Sequence, residues 1–263
     1  MSNPHLPEEL LDHIVDFLHL DTGRTLKNCS LVSKSWIPRA RRHLFADVWF
    51  ETEEYLELWK KRFPDPSTSP GHYTNALTID CPHAITVADG KAGGWIRGFS
   101  RITHLELDGR SAKHEGDESE ILFVPLQGLS PFVKSLNIYG IALPSSHIFE
   151  LILSFPLLED LTVTDHYADR GFGGPQTIVQ PPNPPVFTGS LKLAMIGPGH
   201  IVRRLLSLPP GGIRFRKFTS TWDGGEDTSL ITALVERCSH TLESFDIACD
   251  PLSTSIRQLC PYR

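Results

Sequence analysis

Short segments of alternating apolar and polar residues recur along most of the chain at a nearly constant spacing. NALTID (75–80), ITHLELDG (102–109) and VKSLNIYG (133–140) are three of them, and such alternation predicts a half-buried β-strand. Neighbouring segments lie 25 to 31 residues apart when they are aligned at one apolar position. The aligned positions are Val48, Leu77, Leu105, Leu136, Leu161, Leu191, Phe218 and Phe245. A recurring unit that stacks on its neighbours therefore accounts for the chain beyond residue 45.

Helical patterns separate several of these strands. The stretches 52–63, 145–155 and 228–238 carry apolar residues three and four positions apart, which predicts amphipathic helices. Their predicted buried faces are Tyr55, Leu58 and Trp59 in the first, Ile148, Leu151 and Ile152 in the second, and Leu230, Leu234 and Val235 in the third. Strands that alternate with helices predict an α/β fold with a parallel sheet.

This region resembles an irregular leucine-rich repeat array. The family's L-x-x-L-x-L core is met, for example, by Ile102, Leu105 and Leu107. The Asn or Cys that the family places at the turn after the strand is mostly absent, and we expect Asp residues to replace it, namely Asp108, Asp165, Asp250 and, more weakly, Asp223. The resemblance implies a right-handed α/β solenoid whose curved parallel sheet lines a concave face. The strand positions predicted to contact a target protein are Glu106, Asn137, Thr162 and Asp246.

Two insertions interrupt the spacing. RSAKHEGDESE (110–120) is polar and charged, and DRGFGGPQTIVQPPNPPVF (169–187) is dense in Gly and Pro, so neither continues a helix or a central strand. We predict that both are loops that project from one rim of the array.

The first 45 residues follow a different, helical pattern. Apolar residues recur at helical spacing over residues 7–18, and a second helix would carry Leu26 and Cys29. A third helix is predicted to begin near Ser35, with Pro38 in its first turn, where a missing N–H costs nothing. Three helices of this length form a module too small to be stable alone, so we expect it to pack on the rest of the chain.

The basic residues of the third helix have an ordinary interpretation. Ala40 and Leu44 share one face of that helix, and we expect Arg39, Arg42 and His43 to point to water. The chain carries a net charge of −6, so these residues do not indicate a general nucleic-acid surface.

The motifs LPEELLDHIVDFL (6–18), LKNCSLVSKSW (26–36) and ARRHLF (40–45) closely resemble the F-box, in the version common in mushroom-forming (basidiomycete) fungi. The family's Leu-Pro-x-Glu-Leu start is present, and residues 31–36 match its Leu-Val-(Cys/Ser)-Lys-x-Trp block. Residues 21–25 depart from the family's usual Asp-Leu-Leu turn. We accordingly divide the chain into an F-box at 1–45 and a degenerate repeat region at 46–263.

The F-box resemblance implies a docking role. F-box domains bind the small adaptor subunit of SCF-type cullin-RING ubiquitin ligases, and through it the cullin. A module with apolar side chains on more than one face can bury one set and offer another to the partner's helices. For Trp36, contact with the adaptor and support of the module stay open as alternatives. The residues assigned to adaptor contact or its immediate support are Leu6, Pro7, Leu10, Ile14, Leu18, Leu31, Val32 and Trp36.

Several functional classes lack their usual sequence patterns. The chain has no G-x-S-x-G, G-x-x-x-x-G-K-[ST] or H-E-x-x-H motif, and the spacing of Cys238, His240 and Cys249 matches no zinc site. Its five cysteines are odd in number and form no C-x-x-C pair, which favours reduced thiols. No apolar run reaches the roughly 20 residues that span a bilayer. We therefore expect a protein of the cytoplasm or nucleus that is not an enzyme and has no cofactor, metal, nucleic acid or membrane partner.

Two functions remain after these exclusions. The first is a substrate-recognition subunit of an SCF-type ligase, in which the F-box binds the adaptor and the repeat region recruits an unknown target protein. The second is an interaction module that binds the adaptor or other partners without promoting ubiquitination. An enzyme on a repeat scaffold is disfavoured because no catalytic motif is present.

Overall fold

The structure of the chain, a computed structural model, describes residues 7–18, 23–82, 85, 94–110, 126, 129, 131–141, 145–164, 185–194, 198–209, 211–222 and 228–249. Leu6, most of the two predicted insertions, and Asp165, Asp223 and Asp250 lie outside these residues. The described helices are α1 (Glu8–Leu18), α2 (Gly23–Val32), α3 (Ile37–Leu44), α4 (Glu53–Arg62), α5 (Ser145–Ser154), α6 (Pro198–Leu206) and α7 (Thr228–Cys238). The strands are β1 (Asp47–Phe50), β2 (Ala76–Ile79), β3 (His104–Asp108), β4 (Ser135–Tyr139), β5 (Asp160–Thr164), β6 (Ser190–Ala194), β7 (Lys217–Trp222) and β8 (Ser244–Cys249).

The strands form one curved, all-parallel sheet of eight strands in the order β1 to β8. Each strand therefore pairs with the strand before it and the strand after it in sequence. The register pairs the eight aligned apolar positions one after another, from Val48 opposite Leu77 to Phe218 opposite Phe245. The equivalence of the segments, inferred from spacing alone, is thus confirmed by the hydrogen-bonded ladder.

Alternation along the strands gives the sheet one buried face and one face, called the open face here, that no described helix covers. In β3, β4 and β5, residues such as Leu105, Leu136 and Leu161 are at most 1% exposed, while their neighbours in sequence are half-buried or exposed. Helices cover the buried face, and Ile148, Leu151 and Ile152 of α5 are buried there as predicted. Because side chains alternate strictly along a strand, the sequence period of two fixes which face each residue occupies.

The first helix of the repeat region presents a different face to the core than its apolar pattern predicted. Tyr55 and Leu58 of α4 are 56% and 50% exposed, whereas Leu56 is fully buried. Trp59 does pack inward, and its ring lies 5.5 Å from that of Phe50 and 5.4 Å from that of Phe99, centroid to centroid. The aromatic cluster beside β1 fixes the rotation of α4, and the prediction for Tyr55 and Leu58 was wrong.

The helical module joins the sheet without a long connection. α3 ends at Leu44 and β1 begins at Asp47. The carbonyl of Ala46 accepts the N–H groups of Asn75 (2.7 Å) and Ala76 (3.1 Å), and α3 lies against the 3-10 turn at Pro70–Tyr73. The module therefore packs on the region that forms the sheet, as its small size predicted; a domain boundary at residue 45 stays a prediction.

Candidate functional site

The three N-terminal helices bury a small core of their own. Val15 of α1, Leu26 of α2 and Ala40 of α3 are at most 3% exposed and form its centre. Leu18, Trp36 and Leu44 pack against it and are partly buried. Trp36 thus supports the module, although its partial exposure leaves contact with a partner open.

The outward face of the same helices carries apolar side chains that this core does not use. Leu10 and Ile14 of α1 are 51% and 42% exposed, and Phe17 is 74% exposed. These residues lie three and four positions apart, so they form one row along the helix and line a shallow depression. Leu31 of α2 is 84% exposed. Isolated apolar side chains are common on surfaces, but a contiguous row on one helix is typical of an interaction surface.

The structure sorts the eight predicted adaptor residues into groups without testing their role. Pro7, Leu10, Ile14 and Leu31 are exposed, so they are available to a partner. Leu18 and Trp36 pack on the internal core. Leu6 lies outside the described residues, and so does the side chain of Val32, the last residue of α2. Phe17 was absent from the predicted set, although its place in the apolar row could have indicated it.

The third helix begins later than its sequence predicted. Lys34–Trp36 form a 3-10 turn, α3 begins at Ile37, and Pro38 lies in its first turn. The hydroxyl of Ser33 accepts the N–H of Ser35 at 3.3 Å, so Ser33 rather than Ser35 caps the turn. Ser35 was therefore the wrong cap.

Two basic residues of α3 bind an acidic residue of α1. Arg39 Nε donates to Asp16 Oδ1 at 2.7 Å, and a second N–H of Arg39 donates to Oδ2. His43 Nε2 lies 2.7 Å from Asp16 Oδ1, and Asp12 lies 3.6 Å from Arg39. The hydrogen bonds from Arg39 and His43 hold the pKa of Asp16 well below its usual range.

The prediction that Arg39 and His43 point to water was wrong, whereas Arg42 is exposed as expected. A signal for the contact exists in the sequence. Asp12 and Asp16 are four residues apart, as are Arg39 and His43, so each pair occupies one helix face. Only the packing of α1 on α3 shows that the two faces meet.

The comparisons with known proteins bear on this module. The F-box domain model matches residues 4–37. No curated protein matches the chain. The F-box match spans α1, α2 and the Trp36 turn, and it includes the exposed apolar row. An F-box therefore precedes the parallel sheet in this chain.

The open face of the sheet holds the four residues predicted to contact a target. Glu106 pairs with Asn137, and Asn137 pairs with Thr162, so these three are adjacent. Asp246 belongs to the same row, three strands further along. The complete row is Trp49, Thr78, Glu106, Asn137, Thr162, Lys192, Thr219 and Asp246. The register thus places all four side chains in one line, and their role in binding stays a prediction.

Polar contacts organise one corner of this face, at the carboxyl ends of β1 to β4. Trp49 Nε1 donates to Asp80 Oδ2 at 2.9 Å. The carboxylate of Asp108 accepts a hydrogen bond from the backbone N–H of Arg110 at 2.9 Å, which fits its predicted role at the turn. It also accepts a hydrogen bond from Nε of the Arg110 guanidinium. The guanidinium carbon of Arg110 lies 5.4 Å from the ring centroid of Tyr139. These contacts fix the side chains that a partner would meet here.

The described residues contain no cluster of His, Cys, Asp and Glu arranged to hold a metal ion. Cys29, Cys81 and Cys238 are free and buried. Burial raises the pKa of the Cys81 thiol to about 11 and also raises that of Cys238. Both thiols are therefore protonated near neutral pH, and the reduced state of all five cysteines stays a prediction. Among the described residues no helix is long and apolar enough to cross a membrane.

Proposed function

We propose that this chain is the substrate-recognition subunit of an SCF-type cullin-RING ubiquitin ligase. Its F-box binds the adaptor, and through it the cullin, while the open face of the sheet recruits a target protein. In this proposal the region beyond residue 45 is a degenerate leucine-rich-repeat solenoid of the kind that follows the F-box in basidiomycete proteins. The chain itself is not an enzyme, needs no cofactor, and acts in the cytoplasm or nucleus without binding nucleic acid or membrane.

The observation that carries this proposal is the exposed apolar row inside the F-box match. Leu10, Ile14 and Phe17 extend from α1, and Leu31 extends from α2, while a separate set of residues fills the module's core. Burying such side chains in an interface stabilises a complex by roughly 25 cal/mol per Å² of apolar surface, before the costs of association. An adaptor with complementary apolar helices provides that burial.

The connection between module and sheet supports a recruiting role. The ring of Phe45 lies 6.0 Å from that of Trp59, centroid to centroid, and Ala46 is hydrogen-bonded into the sheet's first connection. A target held on the open face would consequently keep a fixed relation to the adaptor. A substrate receptor acts by proximity, because it raises the effective concentration of target lysines near the ubiquitin carrier.

The second candidate is an interaction module that binds the adaptor or other partners without promoting ubiquitination. It shares the exposed row with the first, so adaptor binding alone does not distinguish them. The proposal favours the first because the sheet leaves one face open and carries polar and aromatic side chains there.

Proximity labelling in cells tests the proposal when it is combined with measurements of protein half-life. The full chain is compared with Leu10→Asp/Ile14→Asp, which places charge on the exposed row without touching the core. We expect the wild type, but not the variant, to label the adaptor and cullin. Both should label the target, whose half-life should lengthen in cells that carry only the variant.

The matched control is Tyr55→Asp/Leu58→Asp, two exposed apolar residues of α4 outside the F-box match. It should behave like the wild type. The second candidate would be supported if the wild type labels the adaptor but no labelled protein has a different half-life in cells that carry only the variant. Failure of the wild type to label the adaptor would contradict the first candidate and leave the second only in the form that binds other partners.

A further inference from the structure

The open face of the sheet is uneven in charge. Its β1–β3 end carries an excess of carboxylates, whereas at its β5–β8 end Asp160 and Asp246 are matched by Lys192 and Lys217. Among the described residues of the acidic end, one arginine, Arg110, accompanies five carboxylates and is bound to one of them. The five carboxylates are Asp47, Glu51, Asp80, Glu106 and Asp108.

Three of these carboxylates lie side by side on neighbouring strands. Glu51, Asp80 and Asp108 follow the paired residues of β1, β2 and β3, and parallel strands are about 4.8 Å apart. Glu106 lies two residues before Asp108 in β3, on the same face of the sheet. Like charges directly opposite each other destabilise a sheet. Arg110 offsets this repulsion at Asp108, and a bound cation would reduce the repulsion that stays between Glu51 and Asp80.

The titration of neighbouring groups is consistent with this excess of negative charge. Burial raises the pKa of Asp80, and the charges of Asp108 and Glu51 raise it further, against the hydrogen bond from Trp49. Burial likewise raises the pKa of Tyr139, and the charge of Glu106 adds to the effect. Arg110 opposes both shifts, so its ion pair with Asp108 leaves part of the negative charge unbalanced.

An aromatic side chain stands beside the carboxylates. Trp49 is 59% exposed, and its Nε1 is held by Asp80 Oδ2 at 2.9 Å. That bond fixes the orientation of the indole and leaves much of its surface to solvent. A basic side chain suits this setting, because its aliphatic stem packs on an aromatic ring while its charge faces carboxylates.

We propose that the corner formed by Trp49, Glu51, Asp80 and Glu106 binds an extended segment of the target protein that is rich in Lys or Arg. Trp49 packs against the stem of one basic side chain, and the three carboxylates face the charges of that side chain and its neighbours. The inference rests on the proposed target-recruiting role of this face. Acidic segments and nucleic acids are repelled by the same carboxylates.

Fluorescence anisotropy of the full chain with defined peptides tests the inference. The probe is a fluorescein-labelled peptide of about twelve residues that repeats Gly-Arg-Ser, long enough to cross four strands, and its counterpart repeats Gly-Glu-Ser. We expect the basic peptide to bind at least about tenfold more tightly than the acidic one. Its affinity should fall as NaCl rises from about 50 mM to about 300 mM, because salt screens these charges.

Variants test whether binding depends on this corner. Asp80→Asn/Glu106→Gln removes two charges, and its amide oxygen can still accept from Trp49; we expect affinity to fall about tenfold. Trp49→Ala should lower it about fivefold. The control, Glu57→Gln/Glu236→Gln, removes the same charge from exposed helix positions and should stay within about twofold of the wild type. Thermal melting checks that each variant is folded.

Each outcome has a defined meaning. Equal binding of the two peptides, or no binding of either, overturns the inference. An equal loss in the control and in the corner variant also overturns it, because overall charge would then explain the binding. Binding of purified adaptor is measured on the same samples. If the adaptor binds and the basic peptide does not, this inference is wrong and the proposed function is unaffected. If the adaptor does not bind while the peptide does, only the proposed function falls.

Discussion

Arg39 of α3 binds both carboxylate oxygens of Asp16 on α1, and His43 lies against the same carboxylate one helical turn later. This contact ties the first helix of the F-box to the third, beside a core centred on Val15, Leu26 and Ala40. A core of that size contributes little stability by itself, so the bidentate ion pair adds to what holds the module.

Removing the arginine should loosen the F-box more than the rest of the chain. We expect Arg39→Gln to destabilise residues 8–44 by about 1 kcal/mol, the range for a partly exposed bidentate pair. Hydrogen exchange read by mass spectrometry should show faster exchange there and unchanged exchange in β3–β5. Arg42→Gln, on the same helix but exposed, should leave exchange as it is. If the two substitutions speed hydrogen exchange equally, the loss of a positive charge from α3, and not the ion pair with Asp16, explains the effect.

The lowered pKa of Asp16 makes the F-box sensitive to acid. Arg39 and His43 hold the pKa of Asp16 in the folded protein below the ordinary value of 3.8. As pH falls, Asp16 therefore binds its proton first in the unfolded state. The stabilisation is therefore complete above about pH 5 and is lost progressively as pH falls through the unfolded value and then the folded value. Asp16→Asn should flatten the pH dependence of unfolding below about pH 5, measured by circular dichroism. An unchanged slope would show that this carboxylate does not govern the acid response.

The parallel sheet should lose stability when its aligned positions are changed. Leu136 is fully buried between neighbouring strands and the helical layer, so Leu136→Ala should cost about 2–5 kcal/mol in the free energy of unfolding. Leu157→Ala changes the same side chain at a position that is 46% exposed, and it should cost less than about 1 kcal/mol. Urea denaturation measures both. Similar costs would contradict the assignment of Leu136 to the core.

The turn after β4 depends on a glycine. Gly140 has a φ of +58°, and a Cβ at this position would lie 2.2 Å from Cγ of Arg110. Gly140→Ala should therefore destabilise the chain by about 1–2 kcal/mol and displace Arg110 from Asp108 and Tyr139. Denaturation gives the first effect. The displacement of Arg110 is followed by the nuclear magnetic resonance signal of its Nε–H, because tryptophan emission overlaps Tyr139 fluorescence. An unchanged chemical shift of that signal would contradict the role given to Gly140.

The sequence predicted the strands better than it predicted the helices that cover them. A period of two determines the face of every strand residue, and the spacing of the segments determines which residues pair, so the row of Glu106, Asn137 and Thr162 followed from pattern alone. A helix with apolar residues around much of its surface has no such constraint. The burial of Leu56, in place of Tyr55, depends on the aromatic rings beside β1 and not on its own pattern.

Contacts between helices far apart in the chain also could not be predicted from the sequence. The motif around Trp36 indicated the F-box, and the family match over residues 4–37 agrees with it. That Arg39 and His43 bind Asp16 depends on how α1 and α3 cross, which helical spacing does not fix. The charge difference along the open face likewise emerged only when the register brought Glu51, Asp80 and Asp108 together.

The central claim is that the exposed apolar row of the F-box binds the ligase adaptor, and titration calorimetry with purified adaptor tests it most directly. The wild-type chain is compared with Ile14→Ser/Phe17→Ser, which changes two exposed apolar residues of this row, and with the control Tyr55→Ser/Leu58→Ser. We predict that the wild type and the control bind with Kd values within about twofold of each other, and that the first variant binds at least about tenfold more weakly. Binding by the first variant as tight as that of the wild type, or no binding by the wild type, would contradict the account.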